Sequence, residues 1–301
     1  MDGSQRVGVV TVTYNSAKVI EEFMDSLLVQ SHRDFILYVV ENASSDNTVE
    51  LLSKYEDSRI VILRNHHNVG VAEGNNIGIR AALKDGCDFV LLINNDVVFG
   101  HGLFSTLLRG VEEHSCEMVV PKIMYADDPD KIWCAGGYLS DFRANGFHFG
   151  DGQRDVGQFD EPRVVTYSPT CCMLIKKDVF STTGLMDRDY FAYFDDTDFC
   201  LRAFHSRVKL LYLPSAMLLH KVGGLTSSES KLFYVRYGTR NHVYYLLKNF
   251  PAWQCILCLP LLQFHYLFKF LFLLRSPKTF WLVQKAFMEG IALYMTRVAR
   301  S

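Results

Sequence analysis

Neither sign of charge is in excess: 31 Lys and Arg stand against 33 Asp and Glu, a formal net charge of −2. A chain that captures nucleic-acid phosphates needs a broad basic field, so nucleic acid is excluded as the main partner. A disulfide scaffold is lacking too. Eight cysteines in 301 residues are too sparse for a stapled module, and no two CxxC pairs stand at zinc-like spacing. Cys171 and Cys172 are adjacent and read as part of a buried strand, and the setting implied is reducing and cytoplasmic. The apolar run at 7–12 has neither the length nor the cleavage pattern of a signal peptide, so nothing suggests export. The sequon-like Asn42-Ala43-Ser44 is accordingly read as a turn rather than a glycan acceptor.

What is present is a chain long enough to bury a large core, as one α/β domain or a domain with an appendage. Four short apolar, β-branched runs, at 7–13, 35–40, 60–63 and 89–93, alternate with stretches of helical period at 16–29, 48–55 and 73–83. This alternation predicts an α/β fold with a mostly parallel central sheet covered on both faces. In open α/β sheets, ligands bind at the carboxyl ends of the strands. Tyr14-Asn15, Glu41-Asn42 and Asn94-Asn95-Asp96 are therefore expected to converge on one crevice.

From about Met118 the pattern becomes glycine-rich, with Ala135-Gly136-Gly137, Gly146, Gly150-Asp151-Gly152 and Gly157, which predicts hairpins and loops. A further strand is predicted at 167–175. It leads to Asp195-Asp196-Thr197-Asp198, where Asp195 or Asp196 reads as the cap of a helix running to about Ser206.

Beyond about residue 230 the composition shifts again, and 250–274 is almost continuously apolar and aromatic. Length alone permits a membrane span, but Gln254, Gln263, His265, Lys269 and the mid-run Pro260 oppose one. Lys248, Arg275, Lys278, Lys285, Arg297 and Arg300 flank or interleave the apolar faces, the mix expected of helices lying in an anionic interface. A buried core helix or a homodimer face is the alternative.

Three chemical groups stand out. Asp96 ends the run Leu91-Leu92-Ile93-Asn94-Asn95-Asp96 and offers a hard oxygen ligand for Mg²⁺ or Mn²⁺, although Asn-Asn-Asp after a strand is also ordinary turn chemistry. Asp195 and Asp196 are adjacent carboxylates whose crowding pushes their pKa values apart while a helix start pulls both down, and capping alone accounts for one of them. His220 closes an apolar stretch and reads either as a satisfied structural histidine or as a ligand.

Taken in order, Val10-Thr11-Val12-Thr13-Tyr14-Asn15, Val40-Glu41-Asn42-Ala43-Ser44-Ser45-Asp46, Asn68-Val69-Gly70 through Asn75-Asn76-Ile77-Gly78, the Asn-Asn-Asp run and Tyr193-Phe194-Asp195-Asp196-Thr197-Asp198-Phe199-Cys200-Leu201-Arg202 resemble glycosyltransferase family 2, inverting enzymes of GT-A fold. Within it the resemblance is to rhamnosyltransferase-like members and spans about residues 6–245. It implies a catalytic domain at 1–228, with a nucleotide-sugar half at 1–120 and an acceptor-side half at 121–228. A helical, membrane-associating region follows at 229–301.

The resemblance also assigns roles. Thr13, Tyr14 and Asn15 would line the nucleotide slot, and Glu41, where relatives commonly carry Asp, would accept from the base imide. Asn68, Gly70 and Asn76 would flank the nucleotide. Asn94 and Asn95 lead to Asp96, the metal-binding last position of a DxD-type motif whose first Asp is here Asn94. Asp196 would be the catalytic base, Asp195 an acceptor-side partner, His220 a metal ligand, and Arg240 a diphosphate contact or a helix-face arginine. Thr170 stands where these relatives have glycine.

The activity implied is transfer of a sugar, rhamnose in the nearest subgroup, from a dTDP- or UDP-sugar to a glycan or lipid-linked acceptor in cell-surface polysaccharide synthesis. The enzyme would be peripheral to the cytoplasmic face of the membrane. Two rivals remain. A nucleotidyltransferase would open with a glycine-rich loop bearing Arg or Lys, which Val10–Asn15 lacks, and a decayed scaffold would not keep Asp96, Asp195, Asp196 and His220 together.

Overall fold

The computed structural model describes residues 5–221, 228–274 and 277–300, with side chains described at 5–221, 231–268 and 278–300. Arg275 and the Lys269 side chain, both part of the expected amphipathic pattern, lie outside the described residues, and so does 222–227, just before the expected domain boundary.

The chain opens with β1 (Val7–Thr13), α1 (Ile20–Leu28), β2 (Phe35–Glu41), α2 (Thr48–Leu52), β3 (Ile60–Arg64), α3 (Gly70–Lys84) and β4 (Phe89–Ile93). This is the expected alternation, with β1 and β4 matching to the residue. α1 starts late because the amides of Ser16 and Ala17 are engaged by Thr48 Oγ1 at 2.8 Å and Asp46 Oδ2 at 3.1 Å, which ties the loop after β1 to the loop after β2. α3 lies close on β1, since a Cβ at Gly74 would meet the Val12 methyls at 2.8 and 2.9 Å and Gly78, one turn on, sits against Val10.

Then come β5 (Val97–Phe99), α4 (Leu103–His114), β6 (Met118–Tyr125), β7 (Ile132–Cys134), β8 (Gly137–Ser140), β9 (Asn145–His148), β10 (Arg163–Val165), β11 (Cys172–Lys176), α5 (Lys177–Thr183), a 3-10 turn at Arg188–Tyr190, α6 (Asp195–His205) and β12 (Leu210–His220). The ten-stranded sheet runs β10-β12-β6-β11-β4-β1-β2-β3, with β5 added to β12 and β7 to β6. β4, β1, β2 and β3 are parallel, as are β6 and β12, and β11 inserts antiparallel between the two sets.

Three expectations change here. The stretch after Met118 is not all hairpin, for β6 is a buried strand at the centre of the sheet, and as such it shows no alternation to mark it. The strand expected at 167–175 starts only at Cys172. Tyr167 pairs instead with Gly137, and Pro169 in between has no amide to give a ladder. The cap of α6 is Phe194, in a left-handed conformation, so Asp195 and Asp196 are the first two helical residues.

Two cores fill the faces of the sheet, one under α1 and α4, the other under α3, α5 and α6. A third lies among α7 (Ser228–Asn249), α8 (Ala252–Leu274) and α9 (Pro277–Val298), and it takes in Ala144, Tyr190 and Leu201 from the first part of the chain. The expected boundary near 228 is thus crossed by shared core. Charge crosses it as well: Lys248 of α7 reaches Asp187 and Asp198 at 2.7 Å each, and Arg297 of α9 reaches Asp187 at 3.0 Å. Among the described residues, no helix is long and apolar enough to cross a membrane.

Candidate active site

The carboxyl ends of β1, β2 and β4 meet, as their polar turns suggested. Asn95 Nδ2 donates to Val12 O at 2.6 Å and locks the turn after β4 to β1. β5 then pairs antiparallel with the end of β12, in the register His220 to Val97, and Lys221 N donates to Asp96 O at 2.8 Å. Strand register therefore brings together two residues far apart in sequence, with Asp96 Oδ1 3.3 Å from His220 Nε2.

That contact lacks hydrogen-bond geometry. Asp96 Oδ1 and His220 Nδ1 are both buried polar atoms without a hydrogen-bond partner, although buried polar atoms ordinarily have one. A carboxylate and an imidazole side by side suit Mg²⁺ or Mn²⁺, with the remaining positions left to substrate oxygens and water. No cluster of three or more such ligands occurs among the described residues, which bring this pair together.

Beside this corner lies a slot built from turns. Thr13 is buried with its Oγ1 unpartnered, and Tyr14 is 50% exposed at the rim. Asn15, at φ 52°, accepts from Ser45 N at 2.8 Å, and so joins two loops. Glu41 is buried, its carboxylate accepting from Ala43 N at 3.2 Å and Ser44 N at 2.6 Å, with lone pairs left for a base N–H. Asn42, expected at the crevice beside Glu41, is buried and bridges Asn65, Asn68 and Gly70 O. Asn68 Oδ1 accepts from Gly70 N at 2.9 Å.

Gly70 has φ +85°, and a Cβ there would enter the Phe191 ring, while Val71 N donates to Phe191 O at 2.6 Å. The slot is thereby fastened to the loop that carries the acids. Asn76 turns away from it, with both ends of its amide bonded to the Met186 backbone at 2.8 and 2.9 Å, so it staples α3 to the chain before α6 rather than flanking a nucleotide. Asn94 is half-buried at the crevice, its backbone N–H donating to Cys171 O at 2.9 Å.

The loop into α6 is unusual. Phe191, Tyr193 and Phe194 all have φ near +65°. Asn241 of α7, fully buried, donates its Nδ2 to the carbonyls of Tyr190, Ala192 and Tyr193 at 2.7–2.8 Å. Arg240 Nη2 adds bonds to Asp189 O and Tyr190 O, and its guanidinium lies 4.7 Å over the Tyr237 ring. Arg240 is therefore the helix-face alternative, a backbone clamp rather than a diphosphate contact.

The loop delivers Asp195, buried, and Asp196, half-buried. Burial, reinforced by the charge of Asp196, pushes the Asp195 carboxyl up to about 8. Burial also raises Asp196, against hydrogen bonds from the Thr197 amide at 2.6 Å, the Thr197 hydroxyl at 3.2 Å and Tyr167 OH at 3.2 Å.

A row of rings connects the two corners. His220 packs against Trp133 at 4.3 Å, Trp133 against His148 at 4.8 Å, and His148 stacks on Tyr167 at 5.8 Å, whose hydroxyl reaches Asp196 Oδ2. His148 Nδ1 lies 3.1 Å from Trp133 O, and burial holds the ring below the ordinary histidine range. Asp96 and Asp196 thus stand at the two ends of one wall. Trp133, His148 and Tyr167 were not singled out in the sequence, where only their aromatic character was visible.

The mostly parallel sheet, with acids and turns gathered at its strand ends, has the GT-A fold, which solved structures share. S. aureus TarS (residues 1–349) in complex with UDP-GlcNAc superposes with a TM-score of 0.61 at 16% identity, covering 96% of this chain and 81% of the other. Mannosyltransferase PcManGT from Pyrobaculum calidifontis, in complex with GDP-Man and Mn²⁺, does so at 0.58 and 15%, covering 99% and 81%.

The glycosyl transferase family 2 model matches residues 8–184, and the chain belongs to that family. It is similar to the dTDP-rhamnosyl transferase RfbF of Shigella flexneri, 24% identical over 219 residues, which are 71% of this chain and 68% of the relative. It is similar also to the N-acetylglucosaminyl-diphospho-decaprenol L-rhamnosyltransferase of Mycobacterium tuberculosis, 23% identical over 231 residues, 70% and 75%. With the glycosyltransferase GlyG of Streptococcus pneumoniae, identity is 24% over 129 residues, and the match spans only 42% of each chain.

Proposed function

We propose that this glycosyltransferase is inverting and divalent-cation-dependent, moving a sugar from a dTDP- or UDP-linked donor to a hydroxyl of a glycan or lipid-linked acceptor. The observation that carries the reading is the single wall with Asp96 and His220 at one end and Asp196 at the other. Thr13, Tyr14, Asn15, Glu41, Asn68 and Gly70 form the nucleotide side, and Asn94 and Asn95 shape the turn beneath the diphosphate. Asp96 and His220 would hold Mg²⁺ or Mn²⁺, which when bound would take up charge on the departing diphosphate. Asp196 accepts the proton of the acceptor hydroxyl as that oxygen attacks the anomeric carbon from the side opposite the leaving group, so the configuration inverts. Asp195, whose carboxyl is pushed up by burial and by the charge of Asp196, is a hydrogen-bonding partner on the acceptor side.

The name of the Shigella relative supports dTDP-rhamnose as donor, and that of the mycobacterial relative supports a polyprenyl-diphosphate acceptor. A lipid-linked acceptor fits the exposed apolar surface of α8 and α9. Attachment of 229–301 to the cytoplasmic face of a membrane would hold the catalytic part at 1–228 beside its substrate in cell-surface polysaccharide synthesis.

The test uses the full chain with dTDP-rhamnose and a short-chain polyprenyl-diphosphate-GlcNAc. Asp196→Asn is expected to lose transfer by about 10²–10⁴-fold and to keep its affinity for dTDP in calorimetry. Asp96→Ala is expected to lose the Mn²⁺-stimulated part of dTDP binding, the part that EDTA removes from the unaltered protein. Wild-type transfer by Asp196→Asn would remove the base from the mechanism.

A further inference from the structure

The two oxygens of Asp196 are anchored from different places. Oδ1 is held within α6, by the amide and hydroxyl of Thr197. Among the described residues, Oδ2 receives only Tyr167 OH, from a segment 29 positions earlier. The Tyr167 ring cannot move freely, because the hairpin of β8 and β9 wraps it. A Cβ at Gly146 would stand 2.7 Å from three of its ring atoms, and one at Gly137 would stand 3.0 Å from a fourth. The backbone of Tyr167 bridges to Gly137, and His148 stacks on the ring at an interplanar angle of 24°. Burial pushes the phenol well above its ordinary value, so at neutral pH the hydroxyl is a donor to the carboxylate.

We propose that Tyr167, cradled by the glycines of the β8–β9 hairpin, is the positioning residue of the base: it fixes the plane of the Asp196 carboxylate and directs a remaining Oδ2 lone pair to the acceptor hydroxyl. Without it, rotation about the Cβ–Cγ bond is restrained from the Oδ1 side alone. With it, the carboxylate meets the crevice in one orientation, as a proton transfer in the transition state demands. A bond donated to the ionised form also favours that form, against the burial that opposes it. The proposal rests on Asp196 being the base.

Tyr167→Phe keeps the ring in its cradle and removes one oxygen. In the full chain, with dTDP-rhamnose and the same acceptor, kcat is expected to fall by about tenfold, the scale of one hydrogen bond, while calorimetric binding of dTDP with Mn²⁺ stays unchanged. The acid limb of the kcat profile is expected to move to higher pH, because the base must be deprotonated and has lost a bond that favoured its charged form. The other groups acting on this pair are Asp195 and Cys200 of α6, Cys134 of β7 and His148 of β9, with Asp151 and His220 acting on His148. A limb set by His148 would not respond to the loss of the phenol oxygen.

An unshifted limb with wild-type kcat, next to an inactive Asp196→Asn, overturns the positioning role and leaves the base in place. Loss of dTDP binding together with kcat also overturns it, since it marks a general structural effect. Activity in Asp196→Asn overturns both.

Discussion

Asp195 and Asp198 share the first turn of α6 and are driven in opposite directions. Among the described residues no cation pairs with Asp195, and burial with the neighbouring charge of Asp196 raises it to about 8. Burial alone would raise Asp198 too, but Lys248 at 2.7 Å and Arg202 at 2.8 Å outweigh it and hold the carboxyl below the ordinary range. Stability then depends on pH with opposite signs at the two residues. A folded-state value above the unfolded one means that the stability from Asp195 is full below about pH 4 and is lost as pH rises through about 8. Asparagine imitates the protonated form and cannot ionise. Asp195→Asn should therefore melt with the unaltered protein at pH 4 and above it at pH 9, with roughly 2–4 °C in Tm for each kcal/mol recovered. Asp198→Asn should do the reverse, losing about 3–5 kcal/mol at pH 7 because Lys248 and Arg202 are left without their carboxylate, as chemical denaturation would measure. Equal melting of both variants at pH 9 would contradict the assignment. At this scale the sequence was legible where a strand end sufficed to place a residue, and Glu41 and Asp96 stand at the carboxyl ends of β2 and β4 as expected. It was not legible for Trp133, His148 and Tyr167, whose placement depends on the pairing of β7, β8 and β9.

Among the elements, the loop 190–194 depends most on its neighbours. Left-handed backbone at an aromatic residue is unfavourable, and three such residues within four positions persist only when the surroundings over-determine them. Asn241 and Arg240 supply that constraint from α7, and Gly70 with Val71 supplies it from α3. Arg240 and Asn241 thus hold the loop that carries Asp195 and Asp196. Asn241→Ala should lower kcat more than tenfold while dTDP binding falls only slightly, and amide exchange at 190–196 should accelerate with that in β1–β4 unchanged. Rapid exchange throughout the sheet would instead mark Asn241 as a general folding residue. The same dependence explains which elements the periodicity revealed. β1 to β4 alternate cleanly with their helices, and the strands were legible to within a residue while helix ends differed by as much as four. β6 and β12 are long, buried strands with charged or proline interruptions, Lys122 paired to Asp155 and Asp160 and Pro214 beside a register shift, and nothing local marks them as central.

For the molecule as a whole, the question is what covers the outer faces of α8 and α9. Trp253, Ile256, Leu257, Leu261 and Phe264 recur at intervals of three and four along α8, with Ile256 72% and Phe264 69% exposed, while Cys255, Leu262 and Tyr266 on the opposite side fill the third core. On α9, Lys278, Trp281, Lys285, Met288 and Met295 form a second exposed stripe in which lysines alternate with apolar side chains. An apolar face bordered by cations suits the headgroup boundary of an anionic bilayer, where apolar burial and charge attraction add. Ile256→Asp with Phe264→Asp should abolish co-sedimentation with phosphatidylglycerol-containing vesicles and leave both the melting temperature and transfer to a detergent-dispersed acceptor unchanged. In mixed vesicles without anionic lipid, binding by the unaltered chain should weaken, and added salt should weaken it on anionic vesicles, since the lysine contribution is screened. If the double variant still sediments with vesicles but changes from dimer to monomer in detergent-free sedimentation, the face belongs to a second copy of the chain instead. Gln254, Gln263, His265 and the mid-run Pro260 argued against a span at 250–274, and among the described residues no helix is long and apolar enough to cross a membrane. Which side of each helix faces outward was fixed only once α7 and α9 had claimed the other.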